Sequence, residues 1–520
     1  MSTDARARRH AARLGAAARV FFAFLGAAAL SSCSAGGSPP EAAQALRGPS
    51  EITILFTTDE HGWLLPHTDR GRVSGGAAEV LGLWEAAEGH CPGPPTRPPC
   101  TDPRTLVLSG GDNYTGPAIS TYFNGAPMAE AFARMGYAAS AFGNHELDFG
   151  RAHFLENRQK SGMVYLAANL HAPPSLPEMN LPPYAIFERR GIKIGVVGLA
   201  TEKTLRAAMA SRFEGITFEA EEPALDRAVR AAWAAGPDMV VAIVHECPDV
   251  LAPIVERHPE WKLSFVGAGH CHKLMTKNAG GVPVIAPGWR LDHYVRLRVT
   301  ADASQPVGKR VISVDPAVVN MSRPEGTPSS APPDPELAQS AAAWKAKIDA
   351  ALGEEIGVSA AGIDKESKDM GRWIAGAIRA ETNTDVAIVN RSGLRQNLPP
   401  GPVTKASVWS ILPFDNRVMI VRLDGAALLE NLRIRDAVAS GITRADDGTI
   451  TLADGRPIDP KAIYRVATVD FLYYGGDHFT FEARSQGTED GGADWREMVI
   501  AWTKKQRSSR ETPLEARLPR

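Results

Sequence analysis

The chain repeats one pattern: a short apolar or β-branched run, a polar cluster, then a stretch with helical spacing. Residues 51–56 alternate and are β-branched, which predicts a strand running into Thr57-Thr58-Asp59-Glu60-His61-Gly62. Residues 105–108 predict a buried strand with Ser109-Gly110-Gly111-Asp112-Asn113 as its exit loop. Residues 138–142 predict the strand before Gly143-Asn144-His145-Glu146-Leu147-Asp148, with Gly143 releasing the backbone into a turn. Residues 164–168, 192–199, 239–244 and 263–266 predict four more strands. The last two end at His245-Glu246-Cys247 and Gly269-His270-Cys271-His272. Helical spacing falls between, at 75–88, 128–135 and 224–234. Strands alternating with helices, with polar residues just past strand ends, predict an α/β fold that binds its ligands at the carboxyl ends of strands.

Strands at 282–285 and 293–299 close this first domain, residues 51–318. Residues 320–335 are rich in Pro and Ser, and 335–352 carry Leu337, Ala341, Trp344 and Ile348 on one helical face. Residues 319–352 therefore read as a linker and connecting helix. A second domain follows at 353–505, with a helix at 372–381 and strands at 386–389, 418–423 and 464–469. Residues 506–520 read as a loose polar tail.

The N-terminus changes the picture of location. Arg6, Arg8, Arg9, Arg13 and Arg19 precede an apolar run, 20–30, too short for a stable bilayer anchor. Leu30-Ser31-Ser32-Cys33 resembles a bacterial lipobox, so 1–33 are expected to be a lipoprotein signal, Cys33 the lipid-bearing residue and 34–50 a tether. This predicts an exported protein of the periplasm or cell envelope, held to a membrane through lipid. Export permits disulfides. Cys91 and Cys100 bracket a Pro-rich excursion that a disulfide would staple. Cys247 and Cys271 could pair, stay free or bind metal. Of the 520 residues 44% are apolar and 22% charged, and the net charge is −2, which speaks against a nucleic-acid partner.

The chemistry sits at five strand ends: Asp59 with His61; Asp112; Asn144 with His145; His245; His270 with His272. Asp-x-His and His-x-His put two ligands on one side of an extended segment. Oxygen and imidazole donors without thiolate suit Zn, Mn, Fe or Co, and Asp112 on its Gly-rich turn could bridge two ions.

In this order the motifs resemble the calcineurin-like metallophosphoesterases. Gly-Asn-His-Glu-x-Asp followed by a second domain resembles their 5′-nucleotidase and UDP-sugar hydrolase branch. The resemblance spans about residues 50–505. It implies a four-layer domain of two β-sheets flanked by helices, plus a C-terminal α/β substrate-binding domain. It also implies two divalent ions, one held by Asp59, His61, Asp112 and His272, the other by Asp112, Asn144, His245 and His270. His145 would face the phosphate with Asp148 orienting its ring, and hydroxide made at the metals would attack phosphorus. In the second domain Asn390, Arg395, Phe414, Phe471 and Asp477 match the family's substrate contacts: two aromatics around a nucleobase and an Asp on the sugar. Arg391 and Ser392 replace family glycines, so Arg391 is expected to project into the pocket. The family's further upstream arginine has no clear match, and Lys365 is a candidate stand-in. The expected activity is hydrolysis of nucleotides or related small phosphoesters. A thiosulfohydrolase-like reaction and a non-catalytic, lipid-anchored binding protein are the alternatives.

Overall fold

The computed structural model describes residues 48–93 and 103–519. The expectations for the signal, the lipobox and the Cys91–Cys100 staple fall, wholly or in part, outside them.

Two six-stranded sheets stack face to face. The first runs Val311–Asn320, His293–Ala301, Ser50–Thr57, Thr105–Ser109, Tyr137–Ala141, Val164–Leu166. The second runs Leu274–Ala279, Val282–Pro287, Phe265–Ala268, Met239–Val244, Ile192–Leu199, Tyr184–Arg189. Period-two alternation divides each strand between two cores. Ile52, Ile54, Phe56, Leu106 and Leu108 meet Ile194, Val196, Val241 and Ile243 between the sheets. Leu55 and Val107 face the helices Ala77–Glu88 and Ala126–Met135, and Val240, Ala242 and Val244 face Glu221–Ala234 and Pro248–Arg257. Strands buried on both faces read as near-continuous apolar runs, which is why the pattern exposed them. The result is the four-layer arrangement, helix–sheet–sheet–helix.

The second domain is built on a five-stranded mixed sheet, ordered Ala437–Ser440, Val386–Asn390, Ile463–Val469, Arg417–Asp424, Thr488–Asp494. Lys368–Thr382 and Trp495–Gln506 pack on it through Trp373, Ile374, Ile378 and Val499.

Two expectations are corrected. The helix Pro335–Leu352 does more than connect: Leu337, Ala341, Ile348 and Leu352 join the core under the first sheet. Asp334 caps it by accepting from Leu337 N and pairs with Arg134 of the helix Ala126–Met135. The last residues are not loose. Leu514 is fully buried, and the Glu515 carboxylate accepts from Ser359 Oγ at 2.6 Å and Ala361 N at 3.0 Å. An apolar anchor and a satisfied carboxylate outweigh the polar composition of 506–520. Among the described residues no helix is long and apolar enough to cross a membrane.

Candidate active site

All five polar strand ends converge at one edge of the double sheet. The loops are laced by backbone bonds: Asp59 N to Gly111 O (2.9 Å), His61 N to Asp112 O (2.9 Å) and Gly62 N to Asn113 O (3.0 Å). Asp59, His61, Asp112, His270 and His272 all have positive φ, between 45° and 70°. Asp and His tolerate this region better than most side chains, and strain held by surrounding structure clusters at functional sites. Gly143 acts otherwise than expected. Its φ lies outside the left-handed region; what matters is proximity, since a Cβ there would lie 2.2 Å from Asp112 Oδ1.

Asp112 is the centre. The His145 backbone amide donates to its Oδ1 at 2.8 Å, which leaves Oδ2 facing His245 Nε2 at 3.1 Å and His61 Nε2 at 3.6 Å. On one side, donor atoms of Asp59, His61, Asp112 and His272 lie within 4.8 Å of one another, with the Nε2 atoms of His61 and His272 only 2.9 Å apart. On the other, Asn144 Oδ1 stands 3.1 Å from His245 Nε2 and 2.9 Å from His270 Nδ1. His61 donates its Nδ1 hydrogen to Thr115 O at 2.8 Å, so its Nε2 lone pair points into the site. Burial, then Arg395, holds His61 and His272 well below the usual imidazole range, which favours the neutral rings. Burial opposes charge on His245, yet Asp112 and Asp59 hold it up to about 10. Carboxylate and imidazole donors packed this closely suit a divalent ion, and Asp59, His61, Asp112 and His272 fit one.

His145 donates from Nδ1 to Asp148 Oδ2 at 2.8 Å. Burial lowers its basicity, but Asp148 and Asp112 together raise it above the ordinary value, so its Nε2 hydrogen is available. Its ring stacks on Phe414, with centroids 5.2 Å apart. From the second domain, Arg395 Nη2 donates to His61 Nε2 at 3.1 Å. A cavity of about 260 Å³ opens on this edge, lined by Asn144, His145, Arg395, Phe414, Phe471 and Asp477 among others. Asn390 Nδ2 and Ser392 Oγ donate to Asp477 Oδ2 at 2.8 and 2.6 Å. Arg391 is the exception among the expected site residues. Its guanidinium turns out of the cavity, donates to Glu366 O at 3.1 Å and pairs with the Glu366 carboxylate. The exposed carboxylate and carbonyls of 365–366 out-compete the cavity for its hydrogens. Lys365 Nζ lies 5.6 Å from the centre of the Trp289 ring, which stacks on His272.

Sequence reasoning missed Glu60 and Glu146, both buried. Glu60 accepts from Thr57 and from Ser109 Oγ (3.1 Å), and burial pushes it up to about 8. Glu146 accepts from Asp112 N at 2.9 Å and from Asn113, and burial and then Asp112 raise it well above the carboxylate range. Each brackets the Asp112 loop from below. Their place in the two motifs, Glu60 between Asp59 and His61 and Glu146 directly after Asn144 and His145, was the available signal. The structure also pairs Cys247 with Cys271, Cα atoms 5.5 Å apart, joining the loops that carry His245, His270 and His272.

Residues 347–484 match the family model described as 5′-nucleotidase, C-terminal domain. The 5′-nucleotidase of Vibrio cholerae is 25% identical over 493 residues, covering 82% of this chain and 86% of that protein. The chain is a relative of the 5′-nucleotidases. Its fold is that of a 5′-nucleotidase precursor from Thermus thermophilus (TM-score 0.75, 22% identity, 88% of this chain and 97% of that one). The sulfate thiohydrolase SoxB of the same organism shares it too (TM-score 0.67, 17% identity, 88% and 94%), so the fold by itself does not choose the reaction.

Proposed function

We propose that this 5′-nucleotidase relative is a two-metal phosphoesterase that hydrolyses nucleotides. The observation that carries it is the shared Asp112 carboxylate, set between two donor groups at the foot of a cavity lined by Phe414 and Phe471. Asp59, His61, Asp112 and His272 would hold one divalent ion, and Asp112, Asn144, His245 and His270 the other. Such ions supply Lewis-acid polarisation and water activation at neutral pH.

The chain's own groups do the rest. His145, kept protonated by Asp148, donates from Nε2 to the phosphoryl oxygen as charge grows there. Arg395 reaches the same place from the second domain and offers a guanidinium to the phosphate. Asp477 has Oδ2 occupied by Asn390 and Ser392, which leaves Oδ1 to accept from a sugar hydroxyl. Phe414 and Phe471 supply faces for a base, and such stacking tolerates base identity. With Arg391 turned away, the anion-binding side chain of this motif is Arg395.

A panel of AMP, ADP, a nucleotide sugar, a cyclic nucleotide and p-nitrophenyl phosphate, each with Mn, Co, Zn or Mg, tests the reading. Phosphate released from nucleotides with higher kcat/KM than from p-nitrophenyl phosphate is expected. Phe471→Ala should raise KM for AMP about 5- to 100-fold, the scale of one lost base stack, and leave p-nitrophenyl phosphate nearly unchanged. Sulfate released from S-sulfonated cysteine, with no phosphate from any nucleotide, would move the chain to the thiosulfohydrolase reading. Two ions bound with no turnover of any substrate would make it a binding protein.

The same proposal places the protein in the cell envelope, anchored by lipid on Cys33. Cys33→Ser should shift the protein from membrane to soluble fractions; an unchanged membrane fraction contradicts the anchor.

A further inference from the structure

His272 is the ligand of the first site whose orientation is left open by hydrogen bonding. His61 is fixed through Nδ1 by Thr115 O, Asp112 through Oδ1 by the His145 amide, and Asp59 through Thr58 Oγ1 (2.8 Å) and His270 N. Among the described residues no partner is seen at His272 Nδ1, and a quarter of its side chain is exposed. A metal-binding His ordinarily gives its second ring N–H to an acceptor that sets the ring plane.

What His272 has instead is Trp289. The two rings lie parallel, 3° apart, with centroids at 4.8 Å. Trp289 is itself held. The Arg290 guanidinium sits 4.3 Å from its ring and 5.3 Å from Trp63, and Trp63 lies 4.5 Å from His67. Asp292 closes the series, pairing with Arg290 at 3.2 Å and His67 at 2.9 Å. The turn is locked too: Arg290 and Leu291 have φ of 58° and 59°, and Arg290 N donates to Asp59 O at 2.9 Å. One short turn thus supports two ligands of the same site, by stacking on His272 and by backbone on Asp59.

We propose that Trp289 is a positioning residue for the first ion, its indole face taking the place of the hydrogen bond His272 lacks. This rests on the two-metal reading above. It predicts a selective effect, because the Trp289 ring meets those of His61 and His272 and of no histidine in the second ion's set.

The test is calorimetric titration of chelator-stripped full-length protein with Mn²⁺ alone, together with its melting temperature in the stripped state. Wild type should bind two ions. Trp289→Leu should weaken one of them roughly 10- to 100-fold, the usual scale for losing a ligand's support, and leave the other within about threefold. Trp289→Phe, which keeps a flat face, should restore most of the loss. Both stripped variants should melt close to wild type. Unchanged binding of both ions by Trp289→Leu overturns the proposal. So does equal weakening of both ions with a lowered melting temperature, or a Phe variant no better than Leu, since each makes Trp289 a packing residue. A wild type that binds no Mn²⁺ refutes the two-metal reading, and the proposal with it.

Discussion

At the scale of the residue, the two oxygens of Asp112 have different work. One is held by the His145 amide, and the other is aimed between His61 and His245. His145 thus touches Asp112 through its backbone and the cavity through its ring. His145→Ala keeps the amide and removes the imidazole. It should retain both ions and lose roughly a hundredfold or more in kcat, the scale of one transition-state donor. Metal content measured beside the rate decides it: a parallel fall in both would make the ring a ligand. Arg391 carries the opposite expectation. Its hydrogens go to 365–366, so Arg391→Gly should leave kcat/KM for AMP, ADP and p-nitrophenyl phosphate within about threefold, the effect of a surface change. A selective loss on ADP would show that it swings into the cavity. The meeting of Asp59, His61 and His272 was legible because Asp-x-His and His-x-His declare themselves by spacing. The direction of Arg391 was not, because a residue's type says nothing about which acceptors surround it. Trp289 was silent for the same reason: only the fold brings it against His272.

At the scale of the element, the helix Ala77–Glu88 ends at Gly89, with φ of 60°, and turns His90 inward. His90 Nε2 donates to Met135 O at 3.0 Å, and its Nδ1 lies 2.7 Å from Thr105 Oγ1, tying the helix end to a strand and to a second helix. Burial lowers its pKa from 6.5 to about 4. The unfolded chain therefore takes up this proton first. The contribution is complete above pH 6.5, falls as pH drops, and levels off below about 4. By pH 5 wild type should have lost about 2 kcal/mol from this group relative to pH 8. Denaturant unfolding of wild type and His90→Gln across that range checks it: the gap between them should narrow toward acid, and a constant gap contradicts the buried neutral His. The central strands were legible because burial on both faces leaves continuous apolar runs. The edge strands Leu274–Ala279 and Thr488–Asp494 were not, because exposed edges carry Lys, Asn, Asp and Gly, whose pattern reads as loop.

At the scale of the whole molecule, the two domains meet over the cavity. Ser410 Oγ accepts from Ala118 N at 3.0 Å, Trp409 lies against Tyr122, and Arg395 reaches His61. The first domain brings Asp112, Asn144, His270 and His272 to that cavity and the second brings Arg395, Phe414, Phe471 and Asp477. The order of motifs made this division readable before the fold was known. It did not reveal that Pro335–Leu352 belongs to the catalytic core or that the final residues are packed, because both depend on partners distant in sequence. The central claim is that one carboxylate serves two ions and that the pair hydrolyses nucleotides. Metal content and phosphate release from AMP, measured on the same preparations of wild type and Asp112→Ala, test it most directly. The account predicts two divalent ions per wild-type chain, with activity rising as they are restored after chelation, and loss of both ions and essentially all activity in the variant. An Asp112→Ala protein that keeps two ions, or that still releases phosphate from AMP at the wild-type rate, would contradict it.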